Sequence, residues 1–257
     1  MKTSAKIYGF SRVKSTNSLA KDWLEKEKKD LPFSLYTFNQ TQGRGNVNTS
    51  WHSKPKCNIC LSFVCEPSFL SPSEQFLLNI SLSLGVVDFL LPYLDKGLYL
   101  KWPNDVYVGE KKIAGILFEN ILLGNVYSKA IMGVGININE MDFPLNLPNP
   151  ISLRECIGYS LSLPEAVVEL HAAILNRYTK LAEEIEKNEL DLVFNEIKQE
   201  YISRLLYYGE KKTYLYKDKK IQAVITDVNR YGHLQLIEAE SKQSLSCDLK
   251  ELKYLFV

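Results

Sequence analysis

A chain of 257 residues that is 46% hydrophobic and 24% charged can bury a full core, with length for one sizeable domain and a small one. Its net charge of +1 supplies no overall basic field, which excludes nucleic acid as the main partner. No apolar run is long enough to span a membrane, and Met1 to Arg12 lacks the apolar core of a secretory signal, so the expected compartment is the cytoplasm.

Ser15-Thr16-Asn17-Ser18 precedes Leu19, Ala20, Trp23 and Leu24, apolar positions at helical spacing. The polar residues are natural N-caps, and the spacing predicts a helix to about Lys28. Leu35 to Phe38 reads as a strand delivering the chain into Asn39 to Trp51, a polar, glycine-punctuated loop of a length that is usually functional. A strand over Asn58 to Cys65 follows. Ser71-Pro72-Ser73-Glu74 has the form of a capping box with proline at the first helical position, opening a helix that is apolar on most sides and stops at Pro92.

Leu98 to Leu100 predicts a short buried strand with Lys101 as its last regular residue, because Pro103 has no ladder donor. A lysine there either snorkels to water or reaches an anionic partner. Val106 to Val108, Ile113 to Ile121 and Val126 to Ile138 are strands joined by short turns, hence antiparallel. Two helices follow, over Leu163 to Glu186, opened by the box-like Ser162-Leu163-Pro164-Glu165, and over Leu190 to Leu206. From Gly209 the chain turns to short β-rich runs, so the division is residues 1–207 and a barrel-like appendage over 208–257. The fold class is α+β, a mixed sheet backed by helices.

Five scattered cysteines, Cys57, Cys60, Cys65, Cys156 and Cys247, argue against a disulfide framework. Cys57 and Cys60 lie three apart on an alternating stretch, and residues three apart on a strand face opposite ways. Two segments invite ligands. Gly43-Arg44-Gly45 sets flexible residues around a cation that can wrap an anion. Gly133-Val134-Gly135-Ile136-Asn137 either lets a ligand approach the backbone or marks a bulge at a strand end.

In this order, Ser15-Thr16-Asn17, Gln40 with Gly43-Arg44-Gly45 and Trp51, Lys101-Trp102-Pro103-Asn104-Asp105, Lys112-Ile113-Ala114-Gly115-Ile116-Leu117 and Gly133-Val134-Gly135-Ile136-Asn137 closely resemble the biotin protein ligases. The resemblance implies a class II synthetase-like sheet, a C-terminal SH3-like barrel and a two-step reaction. Biotin and ATP, with Mg²⁺, form biotinyl-5'-AMP; a lysine of a biotin carboxyl carrier protein then takes the biotinyl group. It also implies Lys101 and Arg44 as catalytic cations. Biotin would be bound by Ser15, Thr16, Asn17, Gln40, Gly43, Arg44, Gly45, Lys101 and Gly115. ATP would be bound by Arg44, Trp51, Asn104, Lys112 and Asn137, with the metal ligands unknown, and a homodimer is compatible with the family. The loop departs from the family pattern: where many members continue Gly-Arg-Gly-Arg, this chain has Asn46. The lost arginine predicts freer escape of biotinyl-AMP.

Two other readings remain open, and a third is not expected. A lipoate or octanoate ligase or transferase shares the fold and the lysine but has less need of the polar set Ser15, Thr16, Asn17 and Gln40. A catalytically inactive biotin or nucleotide sensor would keep the pocket without the chemistry. A DNA-binding repressor is not expected, since only 14 residues precede Ser15.

Overall fold

The computed structural model describes residues 5–26, 30–46, 49–94, 96–249 and 251–256. The chain opens with strand β1 (Lys6–Phe10), helix α1 (Thr16–Lys26) and strand β2 (Phe33–Thr37). The predicted end of α1 near Lys28 lies outside the described residues. Two short strands, β3 (Gly43–Arg44) and β4 (Ser50–Trp51), pair within the expected loop and make it a hairpin. Then come β5 (Ile59–Cys65), α2 (Gln75–Leu90), β6 (Leu98–Lys101), β7 (Asp105–Val108), β8 (Lys111–Leu123) and β9 (Val126–Ile136). Helices α3 (Leu153–Ile157), α4 (Leu163–Lys187) and α5 (Leu190–Ser203) lead to β10 (Lys211–Tyr216), β11 (Lys219–Val228), β12 (Leu234–Glu238), β13 (Ser244–Cys247) and β14 (Leu252–Tyr254).

The large sheet is mixed and runs β1-β2-β5-β9-β8-β7-β6, with β1 parallel to β2 and every other pair antiparallel. Alternation along β5 assigns its two faces. Ile59, Leu61 and Phe63 join the main core with α2 and α4, whereas Val64 packs with Ala20, Phe33, Leu35 and Ile131 under α1. The second face is the one left open for a ligand. Among the described residues no helix is long and apolar enough to cross a membrane.

The C-terminal strands differ from the expected barrel. They form an open antiparallel sheet in the order β13-β12-β11-β10-β14. A barrel closes to bury its own inner face, but here the larger sheet and its helices bury that face. Tyr214, Ile225, Leu236 and Tyr254 belong to the same continuous core as α2 and α5. Trp102 Nε1 donates to the carbonyl of Gly232 at 2.8 Å, and Arg230 bridges buried Glu74 and Asp191.

That ion pair also explains why the capping box at Ser71 fails. Glu74 turns to Arg230, Ser71 Oγ bonds Ser73 Oγ at 2.6 Å, and residues Pro72–Glu74 form a 3-10 turn without a side-chain cap. Ser162 likewise makes no side-chain cap. A true box appears at Ser152 and Glu155, where both reciprocal hydrogen bonds are made and start α3.

Candidate active site

The floor of the site is a consequence of register. Lys101 pairs with Asp105, Asp105 with Gly115, Gly115 with Gly135 and Gly135 with Cys60, a row crossing five strands on one face. The adjacent row holds Leu117, Gly133 and Ser62. Gly133 and Gly135 stand two apart and so face the same way. The β5–β9 ladder runs unbroken from Ile59–Ile136 to Cys65–Ala130, so the glycines mark no bulge. They make room instead. A Cβ at Gly135 would strike the Trp51 indole, and one at Gly133 would strike the Asn17 amide. A Cβ at Gly115 would lie 3.0 Å from Trp51 Cζ3.

Trp51 therefore lies on a glycine plate, and among the described residues its buried Nε1 makes no hydrogen bond within geometric limits, with the Cys60 thiol beside it. An orphaned buried donor is costly unless something arrives to satisfy it. The nucleotide site expected from the sequence predicts that Gly135→Ala, which displaces the indole, raises the KM for ATP roughly tenfold, since stacking of a base on an aromatic ring is worth about 1–3 kcal/mol. Titrating the nucleotide against tryptophan fluorescence and against rate checks this. An unchanged KM would mean the indole is not a base platform.

On the neighbouring row, Ser15, Thr16 and Asn17 are all buried at the start of α1. Only part of this is capping. Ser15 Oγ accepts from the Ser18 N–H at 3.5 Å, a weak cap, while Gln40 Oε1 accepts from the Thr16 N–H at 2.9 Å and reaches the Thr16 hydroxyl at 3.3 Å. Asn17 Oδ1 accepts from Ser62 Oγ at 2.6 Å, and its Nδ2 donates to Glu119 Oε2 at 2.9 Å. Glu119 also binds Lys21 and Arg44, each at 2.7 Å. Burial pushes its carboxyl upward, but the hydrogen bonds from Lys21 and Asn17 and the charge of Arg44 outweigh this and hold it below the usual carboxylate range. Sequence reasoning missed Glu119. Its signal was the alternation Gly115, Leu117, Glu119, which puts a carboxylate on the ligand face.

A cavity of about 600 Å³ stands on this floor. It gathers Ser15, Thr16, Asn17, Gln40, Arg44, Gly45, Trp51, Asn104, Lys112, Gly115 and Asn137, all anticipated in the sequence. Its wall also carries Asn46, the position where the family pattern has an arginine, and Asp105 of the Lys101 motif, together with His52, Phe143, Leu147, Pro148, Leu249 and Lys253, for which no role was anticipated. His52 Nε2 meets Glu140 at 2.7 Å, a carboxylate that Asn58 Nδ2 and the Lys54 N–H also bind. Asn137 is fixed by donating to the carbonyl of Ile151 at 3.1 Å. Asn46 Nδ2 donates to Asn104 Oδ1 at 3.2 Å, tying the hairpin to the turn after Lys101.

Gly43 and Lys101 are not among the lining residues. Gly43 belongs to the hairpin itself, paired with Trp51, where a Cβ would meet the Trp51 carbonyl and the Gln40 amide. Lys101 lies beside the cavity, its Nζ 4.8 Å from the centre of the Tyr254 ring and 5.6 Å from that of Tyr107. Burial pushes its ammonium below the usual lysine range; Asp105 opposes the shift and Lys112 adds to it. Asp105 is itself taken by Lys112, at 2.7 Å.

The model of the biotin/lipoate A/B protein ligase family matches residues 9–137, half of the chain and every strand of this floor except β1's first residues. The chain belongs to that family. Within the biotin/lipoate A/B protein ligase family, it is 29% identical over 143 residues to the bifunctional ligase/repressor BirA of Bacillus subtilis, a match covering 54% of this chain and 43% of that protein. It is 26% identical over 195 residues to biotin–protein ligase 2 of Arabidopsis thaliana, covering 73% of this chain and 56% of that one. The matches thus span about half the length of these curated relatives. The solved biotin protein ligase from Aquifex aeolicus in complex with biotin and ATP superposes with a TM-score of 0.76 at 26% identity, covering 96% of this chain and 97% of that one.

Proposed function

We propose that the chain is an ATP-dependent biotin–protein ligase with its site in residues 1–207 and a supporting unit in residues 208–257. The observation that carries this is the adjacency of two unlike surfaces on one glycine floor. The small polar set Ser15, Thr16, Asn17 and Gln40 offers neutral donors and acceptors to the N–H groups and carbonyl of a ureido ring. About 7 Å along β9, the spacing of Gly133 and Gly135, lies the Trp51 plate with Lys112 Nζ 5.7 Å from its ring centre, suited to a nucleotide. The likeness to an Aquifex aeolicus ligase that holds biotin and ATP supports the same pairing.

In the first step a biotin carboxylate oxygen bonds to the α-phosphorus of ATP as the bond to the bridging oxygen breaks, releasing pyrophosphate. Two anions must meet. Arg44, Lys101 and Lys112 are the cations that offset their repulsion, acting in a site with much of the water removed. The acceptor lysine then attacks the biotinyl carbonyl, AMP leaves, and the amine proton passes to solvent or phosphate. No nucleophile of the enzyme is needed.

Magnesium would enter with the nucleotide, as part of the substrate. Among the described residues no cluster of three or more His, Cys, Asp or Glu could hold a metal, and Asp105, a carboxylate lining the cavity, is engaged by Lys112. The donor set does not fit an ion caged by the protein. The acceptor that suits this chemistry is the exposed lysine of a biotin carboxyl carrier protein.

ATP–pyrophosphate exchange tests the reading, with biotin and lipoate as parallel substrates. Exchange dependent on biotin alone is expected. Exchange with lipoate alone would move the chain to the acyl-ligase branch of the family, and exchange with neither would leave a binding protein.

A further inference from the structure

The cation that this chemistry needs most is held by the C-terminal sheet. Among the described residues no hydrogen bond or ion pair reaches the Lys101 ammonium, and the nearby carboxylate Asp105 is committed to Lys112. What faces Lys101 is aromatic: Tyr107 on β7, and, closer, Tyr254 at the end of β14. We propose that Tyr254 is a positioning residue for Lys101, holding its ammonium at the side of the cavity until an anionic substrate oxygen draws it in. The claim rests on the ligase reading above.

Three features support it. A buried cation without a partner is expensive, and the face of an aromatic ring is the mildest attraction that offsets the cost. It is weaker than an ion pair, so a carboxylate or phosphate oxygen can displace it. Second, the ring is fixed by packing. It sits edge-on to Tyr214 at 5.3 Å and stacks with Tyr207 at 6.1 Å and Phe256 at 6.4 Å, while the buried Tyr254 hydroxyl has no hydrogen-bond partner among the described residues. The ring and not the hydroxyl therefore carries the role. Third, Leu249 and Lys253 of the same segment line the cavity, so β14 forms part of the wall that substrates meet.

The test separates the ring from the hydroxyl and position from activity. In protein carrying ¹³C-labelled lysine, the Lys101 side-chain signal, assigned by its loss in Lys101→Arg, is expected upfield from the ring current. Tyr254→Phe keeps that shift, whereas Tyr254→Leu, or Tyr254→Met should the leucine variant fold poorly, removes it. In biotin-dependent exchange the aliphatic variants lose about tenfold in kcat, a typical effect of a misplaced reacting group, with little change in KM, and Tyr254→Phe recovers the rate. An unmoved Lys101 signal or an unchanged kcat in the folded aliphatic variants overturns the proposal. Absence of exchange in the unaltered protein would instead sink the ligase reading, while the lysine signal would still decide the position of Lys101.

Discussion

Biotin-dependent ATP–pyrophosphate exchange is expected to fall about 10²–10³-fold in Lys101→Ala, since one preorganised charge at the reacting centre is worth about 3–4 kcal/mol. The size of the effect depends on where that charge can go. Lys101 ends β6, and Pro103, which has no backbone N–H to donate to a ladder, keeps the strand from continuing. The Lys101 ammonium stands beside the Tyr254 and Tyr107 rings and next to the Asp105–Lys112 pair. Lys112 lines the cavity itself but is neutralised by Asp105, so Lys112→Ala is expected to raise the KM for ATP more than it lowers kcat. The pH profile gives a second check. Burial holds the Lys101 ammonium below the usual lysine range, and only the charged form can bridge two anions. The rate should therefore fall as pH rises through a value lower than that of a free lysine. The reverse pattern, with Lys112→Ala silencing kcat and Lys101→Ala sparing it, would reassign the catalytic cation.

Much of the architecture was legible because it depends on local patterning. The apolar run from Phe76 to Leu91 could only be a central helix, and the short turns at Gly109 and Gly124, both in the left-handed region, dictated antiparallel neighbours. The site was legible through residue types whose local explanation failed. Two glycines at period two in a strand have no local use, and only the ladder shows that they make way for Trp51 and Asn17. What stayed hidden is set by partners distant in the chain. Ser71 and Ser152 carry similar capping signals, but Arg230 draws Glu74 away from the first, while Glu155 stays on the Ser152 N–H in the second. Glu119 reads as an ordinary strand residue until Lys21 and Arg44 arrive from other elements. The C-terminal runs looked like a barrel because their alternation is that of a barrel; whether such a sheet closes depends on what else can cover its inner face, and here α2 and α5 do.

The hairpin over the cavity carries the remaining prediction. Asn46→Arg is expected to slow release of biotinyl-AMP by about 10–100-fold in the absence of acceptor, the equivalent of one added hydrogen bond to a charged group at about 1.5–3 kcal/mol. Asn46 lines the cavity and spends its amide on Asn104, a neutral contact that closes the hairpin without adding charge toward a phosphate. Arg44, the hairpin's other candidate, is held by Glu119 at 2.7 Å and must leave that carboxylate to serve an anion. In the ligase reading the hairpin thus offers an adenylate one contested cation, Arg44, where the family pattern expected from the sequence has two. An adenylate that escapes is an activated acyl donor in solution, so the same protein should biotinylate exposed lysines on bystander proteins, and Asn46→Arg should suppress this while leaving exchange intact. Filter-trapped radiolabelled adenylate, followed over time with and without acceptor, measures the release directly. Retention for hours in the unaltered protein would show that Arg44 with Lys112 suffices and that the asparagine is neutral.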